Sequence, residues 1–308
     1  MMASFIPDSR VAVAAADHRH PQARILPARD HRFHVLHWPG RDDGPLRVIL
    51  HGWLDVAATW QRLVDHLPAA WHIAAPDQRG FGHSDWIGDT YWFYDYVGDL
   101  DALLDQLSPD TPVDLIGHSM GSQVAALYAG VRPERVRRLV VLDGFYLPAS
   151  DPSKAPRQIA RWLNELKDRK APREYSSLDD LAQRIGKRQP GLDAEGARFV
   201  ASCWSEPLGD GRYRLLGDPR HRQHGPLLYR DEEAKAIFSE ITARTLIVDA
   251  EKSNLASATR ESHRRARLDC FRDRVERTLA GAGHMLHFDA PQACAEAITE
   301  FLEEGAAP

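Results

Sequence analysis

From about residue 32 the chain alternates short β-branched apolar runs with stretches of helical period: "RVILHG" (47–52), "WQRLVDHL" (60–67), "WHIAAPD" (71–77), "YVGDLDALLDQL" (96–107) and "VDLIGHS" (113–119). Strand, helix, strand, repeated, requires a mostly parallel sheet with helices on both faces, an α/β fold. The unbroken apolar character of "VDLIG" and of "RRLVVLDG" (137–144) marks strands buried on both sides. After Gly144 the strand rhythm stops. Charged helical segments follow, such as "QIARWLNELKDRK" (158–170) and "LDDLAQRIGKRQ" (178–189), then a Gly/Pro/His-rich loop, "LGDPRHRQHGP". The rhythm resumes with "ARTLIVDAE" (243–251), a helix-like stretch near 257–267, "RVERTLAGAGH" (274–284) and an amphipathic helix, "PQACAEAITEFLEE" (291–304). The expected organisation is a core in two parts, 1–144 and 241–308, with a helical cap at 145–240 and no internal repeat.

Bulk properties exclude several partner classes. The 308 residues carry 39 basic and 44 acidic side chains, a net charge of −5, so nucleic acid is not an expected partner. Arg264-Arg265 in "SHRRARLDC" reads as a solvated helix face. Cys203, Cys270 and Cys294 are widely spaced, which suggests neither a disulfide framework nor a zinc site and fits a reducing compartment. The opening "MMASFIPDSRVAVAAADHRHPQ" is too weakly apolar for a signal peptide, and no stretch reaches the roughly 18 apolar residues of a membrane span. A cytoplasmic protein with a ragged first segment is expected.

Within "DLIGHSMGSQ", Ser119 satisfies G-x-S-x-G between a strand and the helical "SQVAALYAG". A strand-to-helix turn this tight crowds the backbone, and Gly117 and Gly121 supply the small neighbours it needs. Ser119 is therefore the candidate nucleophile, with helix capping as its ordinary alternative. The Met120 amide, opening the helix, points toward developing negative charge. A second donor is expected from "VILHGWLD", where His51-Gly52-Trp53 follow a strand directly; the Trp53 N–H is the candidate. The base is expected late in the chain, and "LAGAGHMLHFDAP" puts His284 on a small-residue loop before the last helix, with His287 in a supporting or capping role. His31, His34 and His37 share a strand-like segment whose spacing cannot converge on one metal, and no metal or cofactor is proposed. "DQRGFGHSD" (77–85) reads as a structural loop, with Asp77 or Arg79 forming internal hydrogen bonds.

Carrying "HGW", "DxRGxGxS", "GHSMG" and "GxGHxxH" in this order, the chain resembles the α/β-hydrolase fold family from about residue 32 to 304, closest to the esterase-like branch with serine-hydrolase-like proteins of the Kraken type. The resemblance implies a Ser/acid/His triad, an oxyanion hole from the Trp53 and Met120 amides, and a cap over the pocket. It leaves the substrate open. One departure matters: where many members carry the triad acid, a few residues beyond the strand after the cap, "TLIVDAEKSN" has Ser253. Asp143, ending "RRLVVLD" at the same sheet edge as Ser119, is the expected acid, with Asp249 and Glu251 as alternatives.

The expected activity is hydrolysis of a carboxylic ester or thioester of a small molecule through an acyl-enzyme on Ser119. The alternatives are the same machinery acting on an amide or C–C bond or in perhydrolysis, and a non-catalytic member that binds a small molecule. Trp162, Trp204, Tyr175, Tyr213 and Tyr229 offer the cap aromatic surface for a pocket, or simply pack it. Oligomeric state is not legible.

Overall fold

The structure, a computed structural model, describes residues 19–41, 43–168, 171–255 and 258–304. The ragged segment expected at the start of the chain lies outside the described residues up to residue 18. In chain order the first part runs β1 (Gln22–Ala28), β2 (His31–Trp38), β3 (Arg47–Leu50), α1 (Gln61–Val64), β4 (Ile73–Pro76), α2 (Phe93–Leu107), β5 (Val113–His118), α3 (Met120–Val131) and β6 (Val136–Leu142). The middle segment holds α4 (Ala155–Glu165), β7 (Glu174–Tyr175), α5 (Leu178–Arg188), α6 (Ala194–Trp204), β8 (Ser205–Pro207), β9 (Tyr213–Leu215) and α7 (Asp231–Phe238). The last part is β10 (Arg244–Ala250), α8 (Ala258–Leu268), β11 (Arg274–Leu279), α9 (Leu286–Asp289) and α10 (Pro291–Glu303).

Eight strands form one sheet in the order β1-β2-β4-β3-β5-β6-β10-β11. β1 pairs antiparallel with β2 and β2 with β4, and every later pairing is parallel. The period-2 geometry of a strand sorts its apolar residues onto two faces. Val48, Leu50, Leu115, Leu139, Val141 and Ile247 pack with Leu100, Leu104 and Val124 of α2 and α3. Their neighbours Ile49, Ile116, Val140, Leu142, Leu246 and Val248 pack on the other side with Trp60, Leu63, Ile298 and Phe301. Ordering a residue's backbone costs about 1–2 kcal/mol, and fully burying a Val, Leu or Ile returns about 1.5–3 kcal/mol. A strand as short as β3, with Val48, Ile49 and Leu50 buried, persists on that margin, while β4, Ile-Ala-Ala-Pro, is held by pairing with β2 and β3.

Between β6 and β10 the segment is not purely helical. Beside α4 to α7 it contains a three-stranded antiparallel sheet, β7-β9-β8, built from two- and three-residue strands. Tyr175, Leu181, Ile185, Ala197 and Val200 form a small core of this segment and reach Met285 and Phe288 on the loop after β11. No described helix is long and apolar enough to cross a membrane.

The arginine patch on α8 departs from expectation. Arg265 is exposed and pairs with Glu276 at 2.9 Å, but Arg264 and Arg267 are 1% and 0% exposed. Arg264 pairs with Asp249 and donates from Nε to the Gly144 carbonyl at 3.1 Å. Arg267 pairs with Asp231 at 2.6 Å and donates to the Phe145 carbonyl at 2.7 Å. A buried charge persists only when paired and hydrogen-bonded, and both arginines meet that condition. They turn what reads as a solvated face into the support for the chain just after β6.

Candidate active site

β5 ends at His118, and Ser119 turns the chain into α3 with φ 51° and ψ −110°. A non-glycine residue there costs roughly 1–3 kcal/mol and is held only by its surroundings. The Ser119 amide donates to the Leu142 carbonyl of the neighbouring strand at 3.0 Å. A Cβ on Gly117 would come within 2.4 Å of the Gly121 oxygen, and one on Gly121 within 2.2 Å of the Leu50 oxygen. Both neighbours of the turn must therefore lack a side chain.

The structure brings Ser119, His284 and Asp143 together. His284 Nε2 lies 3.1 Å from Ser119 Oγ, and His284 Nδ1 lies 2.7 Å from Asp143 Oδ2. Asp143 is fully buried, with its backbone at φ 44°. Its Oδ2 also accepts from Ser253 Oγ at 2.6 Å, and its Oδ1 from the Ala250 amide at 3.2 Å. Ser253, at the position where the resemblance implied an aspartate, thus binds the Asp143 carboxylate that follows β6. The other two acids are engaged elsewhere. Burial pushes Asp249 up to about 6 against the pull of its Arg264 partner. Glu251 Oε2 accepts from the Gly281 amide at 2.7 Å.

The His-Gly-Trp loop lies against the serine: a Cβ on Gly52 would stand 3.3 Å from Ser119 Cβ. Trp53 follows it and Met120 opens α3, whose first amides the helix itself does not use. The Trp53 side chain is half exposed, and its Nε1 donates to the His221 carbonyl at 3.2 Å.

Beneath this group lies a polar bracket that sequence reading does not find. Asp55, fully buried, accepts from His287 Nε2 at 3.0 Å, Trp204 Nε1 at 2.8 Å and Thr59 Oγ1 at 2.9 Å. Burial opposes its charge, but the His287 and Trp204 hydrogen bonds hold its carboxyl below the usual range. His118 Nε2 donates to the His284 carbonyl at 2.8 Å, and burial pushes the His118 ring well below the ordinary imidazole range, so it stays neutral. The bracket joins the loop after β3, the end of α6 and the His284 loop. Asp55, His118 and His287 each place a ligating atom within 4.8 Å of the others, a spacing a metal ion could use. The Asp55 oxygens and His118 Nε2 already hold protein partners, so the donor set fits a hydrogen-bonded bracket better than a coordination site. The signals in the sequence are His287, read there in a supporting or capping role, and an aspartate in the otherwise apolar "GWLDVAA".

Away from the triad, His34 Nδ1 meets Asp77 Oδ2 at 2.8 Å, and Arg79 pairs with Asp99, so the 77–85 loop is tied internally and to β2 and α2. A cavity of about 150 Å³ opens beside Trp53 and Met120, walled by Tyr91, Phe93 and Tyr96 and by the loop at 220–225. Of the five aromatics read as either lining a pocket or packing the cap, none is on this cavity's wall: Trp162 bonds Thr90, Trp204 bonds Asp55, and Tyr229 accepts from Gln123. A larger cavity of about 740 Å³, edged by Trp38, Arg41 and Ala70, includes none of the site residues.

A parallel sheet with a strained serine at the turn between strand and helix defines the class. Residues 45–291 match the family described as alpha/beta hydrolase fold, and the chain belongs to that family. It is 26% identical to the serine hydrolase-like protein of Danio rerio over 86% of this chain and 83% of that one. It is 32% identical to the cis-3-alkyl-4-alkyloxetan-2-one decarboxylase of Shewanella oneidensis, but that match spans 59% of this chain and only 64% of the relative's length. Among solved structures, the thioesterase domain from the curacin biosynthetic pathway superposes with TM-score 0.79 at 25% identity, covering 90% of this chain and 99% of that domain.

Proposed function

We propose that the chain is a serine hydrolase acting on a carboxylic ester or thioester, with Ser119 as nucleophile, His284 as base and acid, Asp143 as the triad acid, and the Trp53 and Met120 amides as the oxyanion hole. The observation that supports it most is the continuous contact from Ser119 Oγ to His284 at 3.1 Å and from His284 to buried Asp143 at 2.7 Å. Asp143 accepts a hydrogen bond from Nδ1–H, which holds the tautomer with Nε2 free to take the serine proton as Oγ attacks the carbonyl carbon. The resulting oxyanion receives the two amides. Collapse breaks the bond to the alcohol or thiol, which leaves with the proton from His284. Water then repeats the sequence on the acyl-enzyme, releasing the acid and restoring the serine.

Each oxyanion donor contributes about 10² to 10³ in turnover. The similarity to a thioesterase domain and to serine hydrolase-like proteins favours this bond class. The Shewanella relative is named for an oxetan-2-one, a four-membered cyclic ester, which leaves decarboxylation at the same serine as the second reading. Segment 145–240 is proposed as the cap, since its loop at 220–225 closes the cavity next to Met120. The test is turnover of short p-nitrophenyl esters by the parent and by Ser119→Ala: release of nitrophenol is expected from the parent alone, and variant turnover within tenfold of the parent overturns the nucleophile assignment.

A further inference from the structure

We infer that the cavity beside Met120 binds the acyl part of a substrate ending in a carboxylate, with Arg220 as the residue that receives it. This rests on the serine-hydrolase reading and names its substrate class. Met120, next to Ser119 in the chain, and Trp53, next to the Gly52 that packs on Ser119, both lie on the cavity wall, so an acyl chain entering it on that side leaves the scissile carbonyl beside Ser119. Its walls include the aromatic rings of Tyr91, Phe93 and Tyr96, with the two tyrosine hydroxyls engaged by Asp218 and His221. Such rings suit methylene groups.

The same cavity also has a charged residue on its wall. Arg220 lies on the wall, and among the described residues its guanidinium donates no hydrogen bond. Its ion-pair partner, Asp218, stands at 3.8 Å. Asp218 is buried and already served by the Tyr91 hydroxyl at 2.9 Å and by the Arg220 amide at 2.9 Å. It orients the arginine without using up its donors. The neighbouring histidines do not compete for an anion. His221 is stacked on Phe81 with ring centroids 3.6 Å apart, and burial pushes it down to about 3, so it carries no charge. His224 is taken by Glu165 at 3.1 Å. A planar fork with free donors on the wall of a cavity lined by aromatic rings is a carboxylate receptor.

Size sets the chain length. A cavity of about 150 Å³ holds a guest the size of benzene, about six non-hydrogen atoms. Beyond the scissile carbonyl, a glutaryl group has three methylenes and a carboxylate, which matches. The experiment compares kcat/KM for mono-p-nitrophenyl glutarate and p-nitrophenyl valerate, esters with the same three methylenes that end in a carboxylate and in a methyl group, for the parent and for Arg220→Gln. A charge-assisted pair is expected to favour the glutarate ester by roughly 10- to 100-fold in the parent, and Arg220→Gln is expected to remove that preference. Both esters are read on one preparation, so the ratio does not depend on how much of the variant folds. A parent ratio near one, or a preference that survives in Arg220→Gln, overturns the inference while valerate turnover leaves the hydrolase reading intact. Turnover of neither ester, with no covalent labelling of Ser119 by a fluorophosphonate, overturns the hydrolase reading itself.

Discussion

Replacing Asp143 by Asn isolates the acid from the rest of the site. The side chain keeps its shape, and the contacts that bury it have substitutes: Oδ1 still accepts from the Ala250 amide, and the new amide group can donate to Ser253 Oγ, whose hydroxyl now lies 2.6 Å from Oδ2. Folding is expected to change by only about 1 kcal/mol, the usual worth of a neutral hydrogen bond. The histidine is affected differently. An amide NH₂ in place of Oδ2, 2.7 Å from His284 Nδ1, requires that nitrogen to accept, which moves the ring proton to Nε2 and points it at Ser119 Oγ. The base is then blocked, and no carboxylate stabilises the imidazolium. The same substitution in a serine-protease triad lowers turnover about 10⁴-fold, about 5 kcal/mol of transition-state stabilisation. The assay is steady-state hydrolysis of p-nitrophenyl butyrate at neutral pH, with Asp249→Asn and Glu251→Gln beside it and thermal unfolding of each variant as control. Asp143→Asn is expected to lose three to four orders of magnitude while the other two keep most of their turnover. A near-parent rate for Asp143→Asn, with collapse in one of the others, refutes the reasoning.

Ser119→Gly is expected to abolish turnover yet raise stability by about 1 kcal/mol, because glycine accepts φ 51° without strain; a fall in the thermal midpoint relative to Ser119→Ala would contradict this. Arg267→Met is expected to cost about 3 kcal/mol in urea unfolding, since it leaves the Phe145 and Leu147 carbonyls without their donor and Asp231 with only Lys235 at 3.7 Å, whereas exposed Arg265→Ala stays within about 0.5 kcal/mol. For pH, His221 is depressed from 6.5 to about 3 by burial, so the unfolded chain binds a proton that the folded chain refuses, and stability falls as pH drops below 6.5. From pH 6.5 to 5 that amounts to at most about 2 kcal/mol, and His221→Phe, which keeps the stacking on Phe81, is expected to flatten the decline in thermal midpoint between pH 7 and 5; an unchanged slope counts against it.

The parallel core was legible because its strands are continuous apolar runs and its elbow is spelled by Gly117, Ser119 and Gly121, each a steric requirement written locally. Asp143 stood out as a candidate because it ends the β6 run at the edge that carries Ser119 while position 253 is a serine, and in the structure that serine donates to the Asp143 carboxylate at 2.6 Å. What local pattern does not encode is partnership at long range. Arg264 and Arg267 read as solvated because charge usually is, and only the carbonyls of Gly144 and Phe145, more than a hundred residues earlier, reverse that. The Asp55 bracket joins residues 149 and 232 positions apart, and no periodicity announces it. β7, β8 and β9 are two or three residues long, too short to show an alternation, and exist by pairing with one another.

The central claim is that Ser119 is activated, and covalent labelling tests it most directly. The full chain is treated with a fluorophosphonate and analysed by intact mass and peptide mapping, alongside Ser119→Ala and His284→Gln. One phosphonyl group on the peptide containing Ser119 is predicted, absent in Ser119→Ala and slowed by orders of magnitude in His284→Gln. An unlabelled parent chain, or label that persists in Ser119→Ala, would contradict the account.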